Sequence, residues 1–153
     1  MKALVDIDGT LCKFKWFGKI LLRLYPLNRF GAIQSNNRWK RFISYISSWF
    51  YDWIRIPDKK IIKEIRNLAQ KGHTIYIFSA VPDIKRQRKA IEKWLRESRV
   101  PFKGIFLMKN NETPIEFKIR VIKEVKPEVV YENNPFLINE IFKFFPEIII
   151  RCP

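Results

Sequence analysis

The sequence predicts an α/β protein built on a parallel sheet with helices on both faces. Three observations support this: five short apolar runs typical of buried strands, helical periodicity in each of the four intervals between them, and turn residues at the borders. Alternating strands and helices favour a Rossmann-like parallel sheet with right-handed crossovers. The chain has 153 residues, enough for one such domain covering residues 1–153.

The predicted strands and helices alternate along the chain. The first strand contains the run Ala-Leu-Val-Asp-Ile and leads into a Gly-Thr turn. The other strands are predicted at residues 74–80, 104–108, 128–131 and 147–151. Helical periodicity covers residues 58–71, 83–98, 115–126 and 135–145, and Gly72 is the expected stop signal of the first helix.

Residues 12–56 do not fit this alternation and are interpreted as an insert after the first strand. The segment carries nine lysines and arginines against one acid, Asp52, and four of the five tryptophans. Apolar side chains recur at helical spacing from Trp39 to Trp53, which predicts an amphipathic helix. Its apolar face either packs on the rest of the protein or forms an aromatic, basic surface for nucleic-acid bases or a lipid interface.

Two carboxylates mark the end of the first strand. Asp6 and Asp8 are two residues apart, so on an extended strand they project to the same side and can converge on one metal ion or phosphoryl group. A polar turn alone would explain Asp8 and Gly9. It would not explain Asp6, because a charge inside an apolar run is costly without a partner.

The other strand ends add polar groups to the same edge of the predicted sheet, where ligands bind in such folds. Ser79 lies near the end of the second run, and Glu132 and Asn133 follow the fourth. Lys118 lies in the helical segment before that fourth strand. Two acids, a hydroxyl, a lysine and a further oxygen ligand are the groups needed to move a phosphoryl group with a hard divalent cation.

With these residues in order, the chain resembles the haloacid dehalogenase (HAD) superfamily of phosphohydrolases. The four motifs correspond to Asp6-Ile7-Asp8-Gly9-Thr10, then Ser79, then Lys118, then Glu132-Asn133, and span nearly the whole length. The second half, with Ser79-Ala80-Val81-Pro82 and Trp94-Leu95, is most similar to phosphatase domains of phage-type polynucleotide kinase-phosphatases. The resemblance implies a HAD-like fold in which insertions such as residues 12–56 act as caps.

The resemblance also implies a mechanism. Asp6 would be the nucleophile that becomes an aspartyl phosphate, and Asp8 would act as general acid and then general base. Ser79 and Lys118 would hold phosphate oxygens. Mg²⁺ would be bound by Asp6, the Asp8 carbonyl and the fourth motif, because an anionic nucleophile otherwise repels a phosphate dianion.

The fourth motif departs from the commonest pattern, a pair of aspartates. Glu132-Asn133 lowers the negative charge near the metal, which opens the alternative of weak or lost activity. It is similar to the Asp-Asn of small phosphatases acting on the polymerase tail, in which the Asn is a metal ligand. On that resemblance Asn133 is a predicted Mg²⁺ ligand and Glu132 lies in the outer shell, while a plain polar loop is the alternative.

Composition limits the partners and the compartment. The formal net charge is +15, a field that attracts nucleic acid, anionic membranes or phosphorylated substrates, although a solvated basic surface gives the same count. Cys12 and Cys152 make neither a disulfide framework nor a zinc ligand set, which favours the cytoplasm. Charged residues interrupt every apolar stretch short of about 18 residues, so no membrane-spanning helix is expected.

Two functions are therefore expected from different classes. The first is a magnesium-dependent phosphatase that hydrolyses phosphate monoesters, its substrate a nucleotide or a polynucleotide end. The alternative is a catalytically weak or inactive HAD-like module that binds nucleic acid or, as the weaker expectation, anionic membrane through its basic insert. The sequence carries no signal for an oligomeric state.

Overall fold

The structure, a computed structural model, describes residues 1–15, 55–109 and 111–153. The predicted alternation of strands and helices is confirmed. In chain order the described elements are β1 (Lys2–Asp6), β2 (Cys12–Phe14), β3 (Arg55–Pro57), α1 (Lys59–Gln70), β4 (Thr74–Pro82), α2 (Lys85–Glu97), β5 (Gly104–Met108), α3 (Pro114–Val125), β6 (Val129–Tyr131), α4 (Pro135–Phe144) and β7 (Ile149–Arg151).

Five of these strands form a sheet in the order β5-β4-β1-β6-β7, and every neighbouring pair is parallel. Strand β1 lies at the centre, with Ala3 opposite Ile75 of β4 on one side and Val129 of β6 on the other. The carboxyl ends of β1, β4 and β6 therefore meet at one edge, which is where a parallel sheet places its ligands.

Apolar side chains cover both faces of the sheet, as expected for strands buried on two sides. On one face, alternate residues of β1 and β4 pack against the apolar stripes of α1 and α2, which include Ile65 and Leu95. On the other face Leu4 and Phe78 pack against α3 and α4, through residues such as Val121 and Ile141. None of the helices in the described ranges is long and apolar enough to cross a membrane.

Strand β4 is longer than its apolar run predicts. It continues past Ala80 to Pro82, and its pairing with β5 shifts register between Ser79 and Pro82. A bulge of this kind lets a strand go on after its regular ladder is broken. The extra residues carry the chain beyond the sheet edge before α2 begins.

A two-stranded antiparallel ribbon, β2 with β3, joins the two ends of the insert and was not predicted. Cys12, Lys13 and Phe14 pair with Pro57, Ile56 and Arg55, respectively. The amide of Asp58 also donates to the carbonyl of Leu11, which holds the ribbon beside the end of β1. The amphipathic helix predicted between Trp39 and Trp53 lies outside the described residues, and the cap interpretation of residues 12–56 stays a prediction.

Candidate active site

The turn after β1 is wound around a single carbonyl group. The oxygen of Ile7 accepts hydrogen bonds from the amides of Thr10, Leu11 and Cys12, at 3.3, 3.0 and 3.2 Å. The turn requires φ +87° at Gly9, a left-handed value that glycine adopts without steric cost. This winding places Asp8 just beyond Asp6 at the sheet edge and sends the chain into β2.

Asp6 lies in a buried group of three charges. The ammonium of Lys118 donates to Oδ1 of Asp6 at 2.8 Å and also to Oε2 of Glu132. All three side chains are buried, and the ammonium lies 4.3 Å from the centre of the Phe78 ring. Helix α3 presents Lys118 on its sheet-facing side, so the cation that a carboxylate inside an apolar run needs comes from the helix above it.

Burial and charge act against each other in this group. Burial raises the pKa of Asp6 above its ordinary value, Lys118 opposes that rise, and Glu132 adds to it. Burial by itself lowers the pKa of Lys118, but the attraction of Asp6 and Glu132 is larger in sum, so its pKa is raised. Lys118 is therefore held as an ammonium between Asp6 and Glu132.

Both oxygens of Glu132 have partners. Oε2 faces Lys118, and Oε1 accepts from the backbone amides of Asn133 and Asn134 at 3.0 and 2.9 Å. The side chain of Asn134 caps the start of α4 by accepting from Phe136 and Leu137. These contacts fix the loop after β6 and leave the Asn133 side chain as the group of this motif nearest the first turn.

Asn133 packs against the turn of the first motif. A Cβ atom added to Gly9 would lie 2.1 Å from Nδ2 and 3.0 Å from Oδ1 of Asn133, so only glycine leaves room for this side chain. Carboxylate oxygens of Asp6, the carbonyl of Asp8 and the amide oxygen of Asn133 are the hard ligands that Mg²⁺ takes. The residues present thus fit a magnesium ion at this edge.

Ser79 lies on the neighbouring strand, one position beyond the residue that pairs with Asp6. The register places Asp6 opposite Phe78, and parallel strands lie about 4.8 Å apart, so Ser79 reaches the same edge. It is almost fully buried. Its role in binding phosphate stays a prediction.

Asp8 has a different partner, Arg55, which the sequence did not indicate. The guanidinium of Arg55 donates from Nε to Oδ1 at 2.7 Å and from Nη2 to Oδ2 at 3.2 Å, a two-point contact. It also lies over the Phe14 ring, 5.4 Å from its centre. Arg55 and Asp8 lie 47 residues apart in the sequence. The ribbon β2–β3 brings them together, so the pair is seen only in the folded structure.

Three further residues with reactive or charged side chains have other surroundings. Burial raises the pKa of the Cys12 thiol, which does not favour a reactive thiolate. His73 precedes β4, at the end of that strand opposite Ser79. Arg88 pairs with Asp83 and donates to the carbonyl of Ile105, so it joins α2 to β5.

A cavity of about 530 Å³ opens beside the turn of the first motif. Its walls include Gly9 and Thr10, the ribbon residue Lys13, and Tyr131 and Arg151 at the ends of β6 and β7. Lys13 pairs with Asp58, and both Tyr131 and Arg151 bind Glu64. The cavity provides polar space next to the candidate site.

Similarity to known proteins is found at the level of structure. No family model and no curated protein matches the chain. A chain of a Pnkp1/Rnl/Hen1 complex superposes with TM-score 0.67 at 12% identity over 99% of this chain and 45% of that one. A chain of a Pnkp1/Rnl/Hen1 RNA repair complex gives 0.68 at 11%, over 99% and 42%. This chain thus spans less than half of either.

A HAD-superfamily hydrolase from Ehrlichia chaffeensis superposes with TM-score 0.54 at 12% identity, covering 98% of this chain and 90% of that chain. Identities this low show a common fold and leave the chemistry to the residues themselves. With its central β1, flanking helices and polar sheet edge, the chain has a HAD-like Rossmann fold.

Proposed function

We propose that the protein is a magnesium-dependent phosphatase that hydrolyses phosphate monoesters through an aspartyl-phosphate intermediate. The observation that carries the proposal is the convergence of Asp6, held by Lys118, with Asp8 and Asn133 at one edge of the sheet. A structural charge pair would need no second carboxylate and no amide side chain against the same turn. A phosphoryl-transfer site needs all of them.

In the proposed reaction, Asp6 attacks phosphorus while the bond to the leaving oxygen breaks and Asp8 donates a proton to that oxygen. Water then attacks the aspartyl phosphate, Asp8 accepts its proton, and inorganic phosphate leaves with Asp6 restored. Ser79 and Lys118 bind phosphate oxygens through the first displacement and the second. Asp6, the Asp8 carbonyl and Asn133 would hold Mg²⁺, which would offset the charge of phosphate beside a carboxylate.

Glu132 holds other residues of the proposed site in place. Its carboxylate is engaged by Lys118 and two backbone amides, which suits an outer-shell role better than direct ligation. A glutamate so held fixes both the lysine and the loop that carries Asn133. Positioning of this kind is common around metal ligands.

The proposed substrate is a nucleotide or a polynucleotide end. Two observations favour it: the net charge of +15 attracts polyanions, and the fold is shared with a chain of an RNA repair complex. The predicted basic segment within residues 12–56 would lie beside such a substrate. A cytoplasmic location remains our expectation from cysteine usage.

The test is a panel of phosphate monoesters containing an aryl phosphate, nucleotides, and oligonucleotides phosphorylated at the 3′ or the 5′ end. We expect phosphate release with Mg²⁺ and none with EDTA, restored by excess Mg²⁺. The matched control is Asp6→Asn. If no ester is hydrolysed but oligonucleotides or anionic vesicles bind, the alternative of an inactive binding module replaces the phosphatase.

A further inference from the structure

Arg55 is the one residue of the described insert ends that contacts a candidate catalytic side chain by two hydrogen bonds. Its guanidinium and the Asp8 carboxylate form a planar, two-point pair, which fixes the orientation of the carboxylate as well as its charge. The Arg55 side chain is only 10% exposed, although that of Asp8 is 29% exposed. The cation is therefore the better fixed member of the pair.

The backbone of Arg55 is fixed by the ribbon. Arg55 pairs with Phe14 across β2–β3, and its guanidinium lies over the ring of that same residue. The ribbon in turn is anchored to the turn of the first motif by the hydrogen bond from Asp58 to Leu11. Arg55 thus links β3, the strand at the end of the insert, directly to Asp8.

The pair has a consequence for the reaction proposed above. A general acid must point at the leaving oxygen, and an error of about 1 Å in its position can cost about a hundredfold in rate. Asp8 lies in an open turn where, among the described residues, Cys12 approaches Oδ1 at 3.8 Å and Arg55 binds both oxygens. The Arg55 guanidinium is therefore the contact that orients the Asp8 carboxylate.

We propose that Arg55 is a positioning residue for Asp8, through which the ribbon β2–β3 orients the proton donor toward the leaving group. The inference rests on the proposed phosphatase function and adds a residue and a coupling to it. Arg55 acts on the acid step and leaves phosphate binding to Ser79 and Lys118. Its loss therefore slows substrates in proportion to their need for protonation.

The test measures kcat and KM for Asp8→Asn, Arg55→Gln, the double variant and Arg55→Lys. Each is assayed with an aryl phosphate, whose leaving group needs no proton, and with the alkyl phosphate that wild type hydrolyses fastest. We expect Arg55→Gln to lower kcat/KM for the alkyl ester by about ten- to a hundredfold, with a much smaller loss for the aryl ester. The comparison uses kcat/KM because Asp8 also serves the hydrolysis of the intermediate, a step that both esters share. Arg55→Lys keeps the charge but not the two-point contact, so it should fall between.

The double variant decides whether Arg55 acts through Asp8. If it does, Arg55→Gln costs nothing further once Asp8 is Asn. The matched control is Arg66→Gln, which removes another two-point contact, with the carbonyls of Ser98 and Arg99 after the C-terminal end of α2, at the sheet edge opposite the site, and should leave the ratio of alkyl to aryl rates unchanged.

Two results overturn the inference while the phosphatase stands: a full additional loss in the double variant, or an increase in KM for both esters with kcat unchanged. The second result would mean that Arg55 binds substrate. A wild-type protein with no turnover on any ester removes the proposed function, and the inference with it. The outcomes are distinguishable because wild-type turnover is measured first.

Discussion

Asp6 and Asp8 are two residues apart, yet their surroundings differ in almost every physical respect. Asp6 is buried under α3 and pairs with a lysine that a second carboxylate, Glu132, also binds. Asp8 lies in a partly open turn and pairs with an arginine from the ribbon. One aspartate is held by the sheet and its helix, the other by the insert.

The difference suits two different tasks. In the proposed reaction the nucleophile must stay in line with phosphorus, and the buried contact of Asp6 with Lys118 would hold it there. A proton donor must meet leaving groups of varied size, which a side chain at the mouth of the site can do. The ammonium of Lys118 is a point charge that can contact several oxygens, which suits the first task. The guanidinium of Arg55 fixes the orientation of a carboxylate, which suits the second.

The largest expected effect is on Asp6. Asp6→Asn keeps the shape of the side chain but removes the nucleophile, so turnover should fall by roughly four orders of magnitude or more. Phosphate release from an aryl ester under saturating Mg²⁺ measures it, with circular dichroism to show that the variant is folded. Turnover near that of wild type would mean that Asp6 is not the nucleophile.

The next prediction compares how much Lys118 and Arg55 each contribute to the free energy of unfolding. Lys118→Met leaves two buried carboxylates without a cation and should cost about 3–5 kcal/mol of unfolding free energy. Arg55→Gln acts on a partly solvated pair and should cost only about 1–2 kcal/mol. Urea unfolding of both variants measures the difference.

Glu132→Gln added to Lys118→Met is the control. It removes one of the two uncompensated charges and should recover part of the lost stability. Equal losses for Lys118→Met and Arg55→Gln would show that burial does not separate the two pairs.

A smaller effect concerns the metal. Asn133→Ala deletes one neutral oxygen ligand, so the Mg²⁺ concentration for half-maximal turnover should rise by about tenfold or more, with a lesser change at saturation. Asn133→Asp restores a charge and should lower that concentration. A titration unchanged by both substitutions would move the ligand elsewhere, with Glu132 the next residue to test.

The smallest effect on small substrates is expected from the insert. Replacing Arg38, Lys40 and Arg41 by Ala should scarcely change turnover of an aryl phosphate, because these residues would act away from the reacting centre. Oligonucleotide binding at low salt should weaken, and the salt slope should fall by about one unit for each phosphate that is no longer neutralised. Unchanged binding at every salt concentration would favour a small-molecule substrate.

Much of the sheet could be predicted because strands and helices have distinct local periods. The predicted strand at residues 104–108 coincides with β5, and the helix predicted at 115–126 coincides with α3 to within one residue. The end of β4 could not be predicted, because a bulge depends on its neighbour β5. The ribbon β2–β3 was missed since three-residue strands carry almost no periodic signal.

The candidate site divides in the same way. Residue type and position along the chain are displayed by the sequence, and they predicted a site with four side chains near strand ends and one in a helix: Asp6, Asp8, Ser79 and Asn133, with Lys118. The roles of these residues stay predictions. Arg55 was only one of nine cations in the insert. No local sequence pattern distinguishes Arg55, because its contact is with a residue distant in the chain.

The central place of β1 also bears on how the protein forms during synthesis. The first strand is synthesised before both of its neighbours, β4 and β6, and Lys118 follows Asp6 by 112 residues. Until then Asp6 is an ordinary solvated carboxylate in an unpaired strand. Such long-range pairing is slow and exposes apolar edges. The nascent chain therefore acquires its candidate nucleophile, its folded sheet and its protection from aggregation together, only after α3 and β6 have been made.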